Sequence, residues 1–363
     1  MKYEYLNVIG LMTGTSMDGI DISLVKTNGQ DLIRLNENYF YRYSNETKDF
    51  LLGILDKDMN VNLKRKKYLD DIITEEHYQA LKNLDILNKS DLIGLHGQTI
   101  YHNPNIQTSI QLGAPHKLAK MLRKNIVFDF RSKDIELGGQ GAPLAPIYHQ
   151  FIIEKLNLEL PSCILNIGGV ANLTFWDGKT LIGFDTGPGN ALMDNYTKRN
   201  SNKYFDDKGA IASKGIPNKE IVNNFINNSF FKKCPPKSLD RNSFIYLYNE
   251  LLTMNFSVPD TMATLAEFTI VSIVNSLNFL PEKVKNILIT GGGYKNNYLM
   301  KQLKERLNIS FIHENEIDIK FDYIESELIA YLSARSLYNL PFTFPTTTGI
   351  SEVSSGGKIY SYL

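Results

Sequence analysis

The sequence predicts a mixed α/β protein of two lobes, each opened by a β-hairpin. Three observations lead there. At 363 residues the chain exceeds one ordinary core and suits two. Short apolar runs ending in glycine and polar residues alternate with stretches of helical periodicity. Finally, "IGLMTGTSMDGIDISLV" near the start and "ILNIGGVANLTFW" near the middle share one plan, strand, glycine turn, strand. The pair fits a duplicated lobe or two independent hairpins, and pattern alone does not choose.

The elements follow in order. "YLNVIGLMTG" and "IDISLVKT" read as paired strands, and "YFYRYS" as a further one. From about Glu46 through "KKYLDDIITEEHYQALKNL", apolar residues recur at helical steps, which predicts helix. "DLIGLHGQT" and "NIVFDFR" are short apolar runs with polar ends, where α/β strands carry ligand groups. "SCILNIGGVANLTFW" forms the second hairpin, "DGK" turns the chain, and "TLIGFDTG" returns as a strand. A buried or amphipathic helix is expected from about Thr261 to Phe279, then a buried strand in "VKNILITGGG". Helices are expected in "YKNNYLMKQLKERL" and "YIESELIAYLSARSLYN", the last ended by the prolines of "LPFTFPTTTG".

Composition narrows the function. A hydrophobic content of 43% with 21% charged residues is that of a soluble globular protein. Basic and acidic residues balance at 39 each, so no net field draws the chain to nucleic acid or anionic lipid. Phosphate binding must then come from local geometry. Cys163 and Cys234 fit no metal spacing and point to a reduced, cytoplasmic setting. "MKYEYLNVIG" lacks a signal-peptide apolar run, and no apolar stretch is expected to be long enough to cross a bilayer. The histidines make neither a metal cluster nor an HExxH motif.

Several turns can carry chemistry. In "GLMTGTSMDGID", Gly14 and Gly19 permit close approach, while Thr13, Thr15 and Ser16 add hydroxyls. Asp18 and Asp21 can hold a hydrated magnesium ion. A well-formed hairpin built of turn-favouring residues explains the same stretch. No P-loop is present, and neither "GGQGAP" nor "GGGYKN" completes a dinucleotide fingerprint. Gly291, Gly292 and Gly293 make a side-chain-free surface for a flat ligand such as adenosine, with Asn296 or Asn297 capping the next helix. Asp185, at a strand end in "GFDTGPGNALMD", suits a general base, or else Asp185 or Asn190 caps the helix from Ala191. Arg131, between Asp129 and Asp134, can bind a carboxylate or phosphate or make a structural pair. His96 and Gln98 can hydrogen-bond a sugar, although a lone histidine is more often structural.

Taken together, "GLMTGTSMDGID", "LHGQTIYH", "DFRSKDIELGGQGAPLAP", "NIGGVANLTF", "GFDTGPGNALMD" and "TGGGYKNNYL", in that order, resemble the anhydro-N-acetylmuramic acid kinases. The resemblance runs from Val8 to about Arg335. It implies the two-lobed actin-like/sugar-kinase ATPase fold, with ATP and sugar bound in the interlobe cleft. By resemblance, Gly14, Thr15, Ser16, Met17, Asp18, Gly19, Ile20 and Asp21 receive the phosphates of ATP with Mg2+. Gly168, Gly169 and the Gly291–Gly293 run complete the nucleotide set. The resemblance makes Asp185 the carboxylate that activates water for attack on C1 of a 1,6-anhydro sugar. The freed O6 then takes the γ-phosphoryl group. His96, Gln98, Arg131 and Asp134 match the substrate-facing set, and Glu325 matches an acidic position near the sugar, whereas Glu327 is not the aligned residue. "IESELIAYL" departs from the family's usual Glu-Ala start to that helix. A homodimer is the family's usual state.

The lobe boundary is expected near Asp129, giving 1–130 and 131–344, with the tail 345–363 returning to the first lobe. Ring-opening motifs would be shared with a levoglucosan kinase, so they do not separate it from a muramic acid kinase. A site built for the lactyl carboxylate would discriminate strongly against the sugar lacking it. An actin-like or chaperone ATPase module would share the fold but has no need of "GFDTGPGN" or "DFRSKDIELGGQGAP".

Overall fold

A computed structural model describes residues 3–14, 17–55, 63–103, 106–201 and 203–363. In chain order its strands are β1 (Leu6–Met12), β2 (Gly19–Thr27), β3 (Leu32–Arg42), β4 (Leu92–Leu95), β5 (Gln98–Asn103), β6 (Thr108–Leu112), β7 (Ile126–Phe128), β8 (Ser162–Ile167), β9 (Val170–Trp176), β10 (Leu181–Pro188), β11 (Asn286–Thr290), β12 (Ser310–Ile312) and β13 (Lys358–Tyr360). The chain divides into two compact units, Met1–Phe151 with Asp322–Leu363, and Ile152–Phe321.

In the first unit the sheet order is β13-β7-β4-β1-β2-β3. β1, β2 and β3 form an antiparallel meander, and β4 and β7 extend it in parallel beyond β1. In the second unit the order is β10-β9-β8-β11-β12, with β8, β9 and β10 antiparallel and β11 and β12 parallel. Leaving aside the β5–β6 hairpin and the edge strand β13, both units have one topology. The two glycine turns therefore mark a repeated lobe, and the fold is that of the actin-like and sugar-kinase ATPases.

Central strands explain why the apolar runs are continuous. β4 is buried at all its residues and β8 at most, because helices cover both faces. Each unit has its own core: Ile9, Ile20, Ile22, Leu24, Ile93 and Leu118 sit in the first, and Leu165, Leu173, Phe184, Phe268, Ile287 and Leu303 in the second.

The helix Ile324–Leu337 packs on the first sheet where its side chains are smallest. A Cβ at Gly10 would run into the Ser326 carbonyl oxygen, and one at Gly94 into the Ser333 hydroxyl. Ser23 and Ser326 share a 2.6 Å hydroxyl contact across the same seam. This helix is why the division differs from the one expected at residues 130 and 344. Tyr148 and Phe151, on the helix Pro146–Lys155, stack on its Tyr331 at ring-centroid distances of 5.3 and 5.5 Å, which keeps both segments with the first sheet. β13 then pairs with β7.

Other expectations are refined. The long helical stretch after Glu46 is two helices, Asn45–Leu55 and Leu63–Leu81, and 56–62 lie outside the described residues. The strand expected at "YFYRYS" begins earlier, at Leu32. The expectation that no stretch could cross a bilayer is corrected. Val258–Phe279 is 22 residues long and contains an 18-residue window of mean hydropathy 1.3, which suffices by length and composition, but 67% of that window is buried. Its helical part, Val258–Ser276, is a core helix, opened by Ser257, whose hydroxyl accepts from Asp260 N–H at 3.2 Å.

Candidate active site

In the first unit the β1–β2 turn is braced from beneath. Thr13 Oγ1 donates to Gly97 O at 2.8 Å, and Gln98 Nε2 donates to Gly14 O at 3.1 Å. Asp18 O accepts from Tyr43 N–H at 3.0 Å, which ties the turn to the chain beyond β3. Met17 has φ 55° and a buried side chain, and Ile20 is buried beside it in the core. Both are apolar anchors of the turn, so only their main chain can face a ligand. Gly19 opens β2, and Asp18 and Asp21 keep partial exposure. Thr15 and Ser16 lie outside the described residues.

Behind this turn stands a polar chain. Arg131 Nη2 lies 3.0 Å from His96 Nε2, and His96 Nδ1 lies 2.8 Å from Gly97 O. A carbonyl only accepts and a guanidinium only donates, so His96 is the neutral tautomer carrying its proton on Nδ1. Burial and the Arg131 charge hold its pKa down to about 3. Arg131 Nη1 also donates to Gly141 O at 2.7 Å. Gly141 N–H donates to Asp134 Oδ1 at 2.6 Å, and Thr348 Oγ1 donates to Asp134 Oδ2 at 2.5 Å. Both ring nitrogens of His96 and both oxygens of Asp134 are thus engaged within the protein. Their effect on a substrate runs through Arg131 and the "GGQG" loop that they fix.

Asp129 has a separate task. It accepts from Ser132 N–H at 3.2 Å and from Lys358 Nζ at 2.7 Å, so it joins β7 to β13. Glu325 is half-buried on the first turn of the helix Ile324–Leu337. Asp21 is close to the start of that helix, since burial and then the Asp21 charge raise the Tyr323 phenol. Glu327 is buried and pairs with Arg34 at 2.9 Å, while the Tyr148 hydroxyl donates to it at 2.6 Å. The two glutamates, two positions apart, therefore have different surroundings.

In the second unit three glycine-bearing turns meet at the end of β8. Asn190 N–H donates to Gly168 O at 2.7 Å, and Gly189 N–H donates to Gly169 O at 3.0 Å. Asn190 Nδ2 donates to Ile167 O at 3.0 Å, so Asn190 sits at the N-cap position of the helix Ala191–Asn200 without capping it by its side chain. Gly291 has φ 75°, and a Cβ there would strike the Asn166 side chain, while one at Gly293 would strike Ile167. Packing against β8 thus explains two of the three consecutive glycines. Gly292 alone presents an open face, with Asn190 Nδ2 its nearest neighbour at 3.7 Å. Asn296 is the cap, accepting from Tyr298 and Leu299 N–H, each at 3.1 Å.

Asp185 lies on β10, where the pairing with β9 shifts register between Asp185 and Gly187. It does not begin the Ala191 helix. Its carboxylate accepts from Leu239 N–H at 2.7 Å, and its own N–H donates to Lys237 O at 2.9 Å. Lys237, whose carbonyl accepts from Asp185, was not legible as a neighbour of the site. Burial lowers the Lys237 ammonium to about 8, with Cys234 and Asp185 raising it and Lys233 lowering it. Asp194 is pushed up to about 7 by burial, against the pull of Arg241 and with the push of Asp206. Nothing in "CPPKSLD" marks Lys237 in sequence except the two prolines before it.

The family model described as anhydro-N-acetylmuramic acid kinase matches residues 6–362. The anhydro-N-acetylmuramic acid kinase of Azorhizobium caulinodans is 38% identical over 367 residues, covering 98% of this chain and 99% of the relative. That of Zymomonas mobilis subsp. mobilis is 36% identical over 368 residues, covering 97% and 99%. Among solved structures, the activator of the 2-hydroxyisocaproyl-CoA dehydratase from Clostridium difficile matches with a TM-score of 0.42 and 12% identity, over 92% of this chain and 97% of that one. Nothing about the site is carried over from so distant a likeness. With the family model matching nearly end to end and relatives this similar over their full length, the chain belongs to the anhydro-N-acetylmuramic acid kinase family.

Proposed function

We propose that this protein uses ATP to open 1,6-anhydro-N-acetylmuramic acid hydrolytically and phosphorylate O6, giving N-acetylmuramic acid 6-phosphate and ADP in peptidoglycan recycling. The observation that carries the reading is Asp185, a carboxylate fixed by main chain at the register shift within the edge strand β10, in a chain that the kinase family model matches over residues 6–362.

The substrate dictates the chemistry. O6 is bonded to C1, so no free hydroxyl exists to phosphorylate. Asp185 accepts a proton from water, the water oxygen bonds to C1, and the C1–O6 bond breaks. O6 then bonds to the γ-phosphorus as the bond to ADP breaks. Gly14 to Asp21 offers the main-chain groups and hydroxyls for the phosphates, and the open face of Gly292 beside Gly168 and Gly169 suits the rest of the nucleotide. Arg131, pre-set by His96 and Gly141, faces the sugar with Glu325, while Gln98 steadies the phosphate turn from beneath. Asp18 and Asp21, partly exposed hard-oxygen donors, fit magnesium, which neutralises phosphate charge when bound. A cytoplasmic homodimer without nucleic-acid or membrane partners completes the proposal, supported by the balanced charge and the family.

The test is an ATP-coupled assay in oxygen-18 water, with 1,6-anhydro-N-acetylmuramic acid and levoglucosan compared. The expected result is label at C1 of a 6-phosphorylated product, with strong preference for the muramic sugar. Preference for levoglucosan would replace the substrate, and ATP hydrolysis with neither sugar phosphorylated would sink the proposal.

A further inference from the structure

Lys237 is an unusual residue to find inside the second unit. Its side chain is 2% exposed, and its ammonium is held by three neighbours. Nζ donates to Phe230 O at 3.1 Å and lies 4.2 Å from the Phe279 ring centre and 4.7 Å from that of Phe230. The Phe184 ring lies 5.8 Å away. Cation–π attraction grows when the cation is desolvated, so this box grips the ammonium firmly.

The grip matters because of what the adjacent main chain does. Lys237 O accepts from Asp185 N–H at 2.9 Å, and Leu239 N–H donates to Asp185 Oδ2 at 2.7 Å. The segment 237–239 therefore holds both the backbone and the carboxylate of Asp185. Phe184, the residue before Asp185, forms one wall of the box. A single side chain thereby pins the segment to the strand that it clamps.

We propose that Lys237 is a positioning residue for Asp185: its caged ammonium fixes the segment 237–239, whose Leu239 N–H orients the carboxylate. The inference rests on the reading of Asp185 as the base. The lysine touches no substrate and transfers no proton. It keeps one carboxylate oxygen anchored so that the group meets water in one orientation, and small misplacements of a catalytic group cost large factors in rate.

The test is a double-mutant cycle on the full chain with 1,6-anhydro-N-acetylmuramic acid and ATP. Lys237→Met keeps an unbranched stem, one atom shorter and without the charge, and suits an aromatic box through its thioether. The expected result is a folded enzyme with kcat down roughly tenfold or more and both KM values within about twofold, because only the orientation of the base is lost. Lys237→Arg, which keeps a cation over the rings, is expected to recover most of kcat. In an Asp185→Asn background, Lys237→Met is expected to change the residual rate less than about twofold, since residues acting as one unit are not additive. Equal losses in both backgrounds, a loss expressed in KM, or unchanged kcat in Lys237→Met would overturn the proposal. Should Lys237→Met not fold, Lys237→Gln is measured by the same cycle against the same limits. Full activity of Asp185→Asn alone would remove the base assignment, and a Lys237→Met loss beside it would show that Lys237 acts by another route, which also overturns the proposal.

Discussion

Asp185 is held twice, through its amide by Lys237 O and through its carboxylate by Leu239 N–H. Asparagine at this position keeps the size and can keep the Leu239 contact through its carbonyl oxygen, yet accepts protons poorly. Asp185→Asn is therefore expected to leave ATP affinity nearly unchanged and to lower turnover by roughly two to four orders of magnitude. Parallel nucleotide titration and single-turnover measurements check this, and near-normal turnover would remove Asp185 from the mechanism. That Asp185 lies on a strand was legible in "GFDTGPGN", but the strand end expected there is displaced: β10 runs on to Pro188, past a register shift at Asp185. Its clamp was not legible, because it is made by the main chain of a segment more than fifty residues away in sequence, as the 54-residue separation from Leu239 records. His96 and Asp134 were equally visible as polar residues, but only coordinates show that their polar atoms are used up on Arg131, Gly97, Gly141 and Thr348.

The helix Ile324–Leu337 lies on strands chosen for their lack of bulk. Gly10→Ala would drive a methyl group into the Ser326 carbonyl, with the Ala330 amide also close by, so the helix must shift. Overpacking of this kind costs about 1–3 kcal/mol, and more where the obstacle is backbone. The expected result is a lower denaturation midpoint and, if Glu325 faces the sugar as proposed, weaker sugar binding as it moves with the helix. Calorimetry and a KM measurement check both, and a variant with unaltered stability would show that the seam is soft. The helix itself was readable from "YIESELIAYLSARSLYN", whereas its docking was not. Gly10 reads in sequence as one residue of the first strand, as β1 bears out, but nothing there shows that its bare Cα is a packing surface for the helix. Similarly, β12 and β13, three residues each, are too short to carry a periodic signal.

Across the first unit, four imidazoles are buried in the neutral form. Burial lowers His77 from 6.5 to about 4, and His96, His102 and His149 each to about 3. The folded unit refuses protons that the unfolded chain accepts below pH 6.5. Stability from these groups is therefore complete above that pH and is lost as pH falls from 6.5 towards 4 for His77 and towards 3 for the other three, each group approaching about 1.4 kcal/mol per pH unit. The second unit contains Trp176, the chain's one tryptophan, on β9. Urea titrations at pH 7.5 and 5.5 are expected to show circular dichroism falling at lower denaturant in acid while Trp176 fluorescence holds. Coincident curves at both pH values would refute this. The duplicated architecture was half visible in the matching hairpins, and the strand order of both sheets resolves what those hairpins left open.

The division of the chain also sets a timetable. The second unit is one continuous segment, Ile152–Phe321, whereas the first needs Asp322–Leu363 to cover β1, β2 and β4 and to supply the edge strand β13. On a ribosome, β1, β2 and β4 must wait for residues 322–363 to emerge, long after their own synthesis, before Gly10 is covered. The later-born lobe can settle first, and for most of synthesis the nascent first sheet has an open face that holdase chaperones would be suited to shield.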